Sequence, residues 1–138
     1  MSIEPTPPLD WTRFQAIAGS DEAVRDLAAF YIPYVAERLY ALRSAVTAGA
    51  ADQVAVIARQ LAGANAAAGV TDIVGPLVTL ERMAHEGRLG MAAAVLVDAE
   101  SGFVRIRDFL LQFVDAVRPD ARRSGNGLTE VERTRSGR

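Results

Sequence analysis

The chain of 138 residues has no cysteine, no lysine and a single histidine, His85. Without cysteine there is no disulfide scaffold, no thiolate nucleophile and no sulfur-bound metal. One histidine cannot complete an HExxH-type pair, and no carboxylate-rich loop resembles an EF-hand, so neither a metal nor a cofactor is expected. No nucleophile with its base and no phosphate-cradling loop is present either. A conventional enzyme is therefore not expected. In the absence of lysine, all basic charge rests on 15 arginines against 17 acids, a formal net charge of -2. That balance argues against a nucleic-acid surface, which needs basic excess. The start, MSIEPTPPLDW, lacks the charged and apolar regions of a signal peptide, and the longest apolar run, Met91 to Val97, falls far short of the ~20 residues that cross a bilayer. A soluble cytoplasmic protein that binds neither membrane nor nucleic acid is the expectation.

What is present suffices for one domain: 50% of residues are hydrophobic and 23% charged. Charge is unevenly placed. Residues 1–117 carry 9 arginines and 14 acids, whereas 118–138 carry 6 arginines and 3 acids. Beyond Pro119 only Ala121, Leu128 and Val131 are apolar, too few to offset the entropy of ordering the segment. The organisation read from this is an N-terminal extension at 1–8, a helical domain at 9–118 and a disordered arginine-rich tail at 119–138.

Within 9–118 apolar residues recur at helical spacing, and no strand alternation appears. A short helix runs from Leu9 to Ala18 and stops at Gly19. Ser20 caps a long second helix, with Asp21 and Glu22 in its first turn, a stripe of Val24, Leu27, Tyr31, Tyr34, Leu39, Leu42 and Val46, and Gly49 as its stop. Asp52 is read as the cap of a third helix carrying Val54, Ile57, Leu61, Ala64 and Ala68 inward. A fourth, from about Thr71, buries Ile73, Leu77, Leu80 and Ala84. The fifth, from about Met91, has a seam of Ala99, Phe103, Ile106, Leu110, Phe113 and Val117, with Gly102 expected to loosen its middle. Short connectors and one apolar stripe per helix give an all-α fold, an antiparallel up-down-up-down four-helix bundle with a short extra N-terminal helix. The aromatic residues Tyr31, Tyr34, Phe103 and Phe113 are read as core.

The third and fourth helices, AVIARQLAGANAAAGVTDIVGPLVTLERMAHEGRL, resemble the histidine phosphotransfer (HPt) family. That family has the pattern A-H-x-L-K-G, then small residues, a glycine and a helix ending in L-E. Ala58, Leu61, Gly63, Gly69, Leu80 and Glu81 occupy matching positions. The resemblance implies a bundle that passes a phosphoryl group to or from receiver-domain aspartates, or takes it from a histidine kinase, through an exposed histidine. The sequence departs from the pattern at two places: Arg59 stands at the phosphoacceptor position, and Ala62 where a lysine is usual. A guanidinium stays protonated and offers no lone pair to an acyl phosphate. Phosphotransfer by the family mechanism is not expected.

Arg59 lies two positions from both Ile57 and Leu61, so it is expected to point outward. Ala55, Val56, Ala62, Gly63 and Ala66 are its neighbours at helical spacing, a field of small residues onto which a partner's loops can come close. These six residues are the candidate partner-binding surface. The plainer alternative is that alanine and glycine only let helices pack tightly. His85, four residues after Glu81 near a helix end, is read as a surface side chain paired with that carboxylate.

The functional expectation is a monomeric receiver-binding module of two-component signalling that lacks phosphotransfer. The rivals are an active relay protein using another acceptor and a helical scaffold or dimerisation module outside phosphorelay.

Overall fold

The computed structural model describes residues 7–128, with side chains to 114. It consists of α1 (Trp11–Ala18), α2 (Asp21–Ala48), α3 (Ala51–Ala67), α4 (Val74–His85), one turn of 3-10 helix (Leu89–Met91) and α5 (Ala92–Leu128). No strand occurs among the described residues.

The helix ends follow local chemistry. Asp10 and Ser20 accept the backbone N–H groups of Arg13 and Ala23 at 3.1 Å, so α1 and α2 each begin on a side-chain cap. Gly19 and Gly49 end these helices in the left-handed conformation that glycine adopts without a Cβ penalty. α2 continues through Pro33. α3 begins differently from expectation: Ala50 is its N-cap and makes no side-chain hydrogen bond, while Asp52 lies inside the first turn. There its carboxylate faces the positive end of the helix dipole rather than capping it.

Up to Asp108 the chain forms one compact unit. α3 packs against α2 and more extensively against α4. Arg43 on α2 grips Glu100 on α5 through two hydrogen bonds, Nε to Oε2 at 2.8 Å and Nη2 to Oε1 at 2.6 Å. Arg105 on α5 reaches Asp72, just before α4, at 2.9 Å. The four long helices therefore close a ring, α2–α3–α4–α5, and α1 is tied to its end by Asp10 N–H donating to the Gly69 carbonyl at 2.7 Å. The core contains Phe14, Val24, Val35, Leu42, Val54, Leu61, Ile73, Leu77, Leu80, Leu96 and Ile106.

Several expected positions are corrected. Tyr34 is not core: it is 37% exposed and stacks on the 64% exposed Phe30, ring centroids 5.5 Å apart. Ala28, Val35 and Ala45 take the inward positions on α2 instead. On α3, Ala64 is exposed and Asn65 is buried. Gly102 does not loosen α5. A Cβ there would stand 2.5 Å from Ile73 Cγ2, so the glycine is what lets α5 approach the start of α4.

From Phe109 a second unit begins, and α5 runs on in it to Leu128. The expected boundary at Pro119 falls inside this helix. The rest of the expected tail, 129–138, and residues 1–6 of the expected N-terminal extension lie outside the described residues, as does the side chain of Val117.

Candidate functional site

Arg59 is exposed on α3, while Ile57 and Leu61 on either side of it are buried. This is the outcome of a turn of about 100° per residue acting on one apolar stripe. Arg43, Arg88, Arg105 and Arg107 all meet carboxylates within 4 Å. Arg59 makes no hydrogen bond or ion pair with any described residue. Its charge is uncommitted.

Of the five neighbours expected to share its surface, Val56, Gly63 and Ala66 are exposed, Val56 by 54%. Ala55 and Ala62 are not: they are 8% and 7% exposed and belong to the interior. With Ala58 they form a line of methyl-sized side chains that allows two helix axes to come close, which accounts for the extensive α3–α4 contact. The plainer packing explanation therefore holds for Ala55 and Ala62.

Helical phase, combined with the observed cross-links, indicates the helix toward which Arg59 turns. On α2, Arg43 lies about a quarter-turn to one side of the buried seam, and its partner sits on α5. The same hand on α5 turns Glu100 toward α2 and turns Gly102 and Arg105 toward α4, as their contacts require. With the ring fixed this way, the flank of α3 bearing Arg59 and Ala66 turns toward α4. The flank of α4 bearing Val78, Glu81 and His85 turns toward α3. Counting about 1.5 Å per residue from the 68–73 connection puts Arg59 about level with Arg82, within roughly a turn of Glu81 and His85.

The site is thus an edge between two helices rather than a spot on one. By helical phase, the flank of α4 turned toward α3 carries the exposed Val78, the half-buried Glu81 and the exposed His85. His85 Nε2 is 3.4 Å from Glu81 Oε2, the i,i+4 pair expected from the sequence. Sequence reasoning missed that this pair and Arg59 share an edge. The signal was available only as helical phase, and phase cannot be turned into adjacency until the hand of the ring is known.

Behind the edge, Tyr31 and Asn65 form a buried polar contact that sequence reasoning also missed. The Tyr31 hydroxyl donates to Asn65 Oδ1 at 2.6 Å, and Asn65 Nδ2 donates to the Leu61 carbonyl at 2.8 Å. Burial pushes the Tyr31 phenol well above its ordinary range, so it remains a neutral donor. Among the described residues, no three His, Cys, Asp or Glu side chains gather as a metal would require, and no helix is long and apolar enough to cross a membrane.

No family model and no curated protein matches the chain. A solved structure does: histidine-containing phosphotransfer protein B from Pseudomonas aeruginosa PAO1, 27% identical, aligned over 78% of this chain and 95% of that one with a TM-score of 0.71. The fold of this chain is an HPt-like helical bundle with a short extra N-terminal helix.

Proposed function

We propose that the chain is an HPt-like module of phosphorelay signalling that binds receiver domains and does not transfer phosphoryl groups through the family position. The observation that carries this reading is Arg59, a free guanidinium exposed on α3 where the resemblance puts the phosphoacceptor. The likeness to a phosphotransfer protein supplies the signalling context.

A receiver's phosphorylation site resembles a cluster of carboxylates around a divalent cation. A planar guanidinium can meet such carboxylates through two parallel hydrogen bonds. Val56, Gly63 and Ala66 surround it with low relief, so loops of the partner can approach without displacing long side chains. Docking of this kind competes with active HPt proteins for the receiver, or holds one receiver state. No covalent step is assigned to the chain, and it is proposed to act as a cytoplasmic monomer.

The test is calorimetric titration of the purified chain with individual receiver domains from the source cell, each with Mg²⁺, alongside incubation with the same receivers phosphorylated. Binding that Arg59→Glu abolishes, with no phosphate appearing on the chain, is the expected result. Phosphate on the chain would support the active relay alternative. Failure of every receiver to bind, with a concentration-independent dimer by light scattering, would support the scaffold.

A further inference from the structure

Along α2 the exposed residues Asp26, Ala29, Phe30, Pro33, Tyr34 and Glu37 recur at intervals of three and four, so they share the face turned away from the bundle. A solvent-facing stripe is ordinarily polar. This one is apolar through its middle and carries a carboxylate at each end. Phe30 is 64% exposed and lies nearly parallel to Tyr34, at an interplanar angle of 14°, so the two rings form one ridge. Neither the exposed phenylalanine nor the proline inside the helix helps the fold: one leaves apolar surface in water and the other removes a backbone donor.

The polar groups of this face are acceptors. The Asp26 and Glu37 carboxylates make no ion pair with a described residue. Pro33 has no N–H to return to the Ala29 carbonyl one turn earlier. Only the Tyr34 hydroxyl can donate as well as accept. The nearest arginines on the same helix, Arg25 and Arg38, are half-buried and stand about 110° around it from the midline of the stripe.

A ligand for such a face must bring donors and apolar contact together. A guanidinium does both: it donates several N–H bonds, accepts none, forks onto a carboxylate and stacks on an aromatic ring. We propose that the outer face of α2 docks a helix of a partner protein that is apolar at its centre and carries an arginine toward each end. An i,i+4 ridge such as Phe30 and Tyr34 seats between the side chains of another helix. Asp26 and Glu37, about 16 Å apart along the axis, receive the two arginines. A second copy of the chain does not fit, because a two-fold axis through this face sets acid against acid whichever way the helices run. The proposal is independent of the receiver reading, since it uses another helix and a partner of opposite charge.

The probe is a fluorescein-labelled, alanine-based helical peptide with arginines at the spacing of Asp26 and Glu37 and leucines at that of Phe30 and Tyr34. Titrated with the purified chain by fluorescence anisotropy, it should bind saturably with a Kd below about 1 mM. Phe30→Ala should weaken it at least about tenfold, as loss of a central aromatic anchor does. Asp26→Asn with Glu37→Gln should weaken it about two- to tenfold and flatten its salt dependence. Because all three side chains are exposed, these variants should keep the circular dichroism of the unaltered chain. The same peptide with lysines should bind more weakly, and with glutamates at least about tenfold more weakly. Absence of saturable binding, either control peptide matching the arginine peptide, or an unchanged affinity for Phe30→Ala would overturn the proposal. So would self-association of the chain that Phe30→Ala dissolves in sedimentation, which would give the face to a second copy. Arg59→Ala should leave peptide binding unchanged, and a loss equal to that of Phe30→Ala would move the peptide to α3 and overturn the α2 site. As a direct check, the backbone amide signals of Ala29, Phe30 and Tyr34 should shift as peptide is added, and shifts confined to other helices would refute the assignment.

Discussion

The Tyr31 hydroxyl and the Asn65 carboxamide meet at 2.6 Å inside the bundle and tie α2 to α3 six residues beyond Arg59. Asn65 is the one buried polar or charged residue among the described residues, and both ends of its amide are used, since Nδ2 donates to the Leu61 carbonyl. Removing the hydroxyl leaves Oδ1 buried without a donor. Tyr31→Phe should therefore cost about 1–3 kcal/mol in a urea titration, although it keeps the ring.

The same contact predicts an alkaline effect. Burial raises the Tyr31 phenol above its ordinary value of 10.0, so between that value and its folded one the unfolded chain releases a proton that the folded chain keeps. Stability is then fully present below about pH 10 and falls as pH rises beyond it. Chemical denaturation of Tyr31→Phe should show a shallower loss over that interval. An equal slope in both proteins would mean that other groups drive the alkaline decline.

Gly102→Ala should destabilise the fold despite alanine's better helix propensity, because the added methyl meets Ile73 Cγ2 at 2.5 Å. A loss of about 1–3 kcal/mol is expected from overpacking. Ile73→Ala removes the opposing methyl, so the double variant should be more stable than the sum of the two single losses. Additive losses would show that the two positions do not touch.

The contrast between these positions explains what the sequence could and could not reveal. Ser20, Gly19 and Gly49 announced the ends of α1 and α2 because caps and left-handed stops are local chemistry. Ile73, Leu77, Leu80 and Ala84 on α4 were legible because one apolar stripe admits one inward face. α3 was harder: alanine is indifferent to burial, so Ala55 and Ala62 read as surface, yet close packing against α4 covers them. Asn65 carries no local sign of burial, because its inward place depends on a hydrogen-bond partner from α2. The common edge of Arg59, Glu81 and His85 depends on the order and hand of four helices, which no local signal carries.

The Arg43–Glu100 pair should contribute little, for all its geometry. Donating hydrogen bonds to the Glu100 carboxylate raises the pKa of the Arg43 guanidinium, but its side chain is 43% exposed and that of Glu100 32%. Solvent screens such a pair, and a double-mutant cycle of Arg43→Ala and Glu100→Ala should return no more than about 1 kcal/mol, less in high salt. A coupling several times larger would mean that the pair fixes the α2–α5 register.

Restoring the missing nucleophile tests how far the α3 site has diverged. Arg59→His places an imidazole at an exposed position, with Gly63 one turn on and open space where its Cβ would be. If receivers still dock in the family's orientation, that variant should acquire acid-labile, base-stable phosphate from a phosphorylated receiver, while the unaltered chain acquires none. Adding the lysine usual three residues later is less simple than the sequence suggests, because Ala62 is 7% exposed and lies in the close α3–α4 contact. An ammonium there would have to reach outward along a bent stem, and Ala62→Lys should cost about 1–3 kcal/mol of stability from overpacking. The single variant is therefore the cleaner experiment, and the double variant should gain transfer rate only if it remains folded by circular dichroism. Labelling of the unaltered chain, at His85 or elsewhere, would refute the absence of phosphotransfer. A folded Arg59→His that binds receiver yet stays unlabelled would place the divergence in the docking orientation rather than in the side chain.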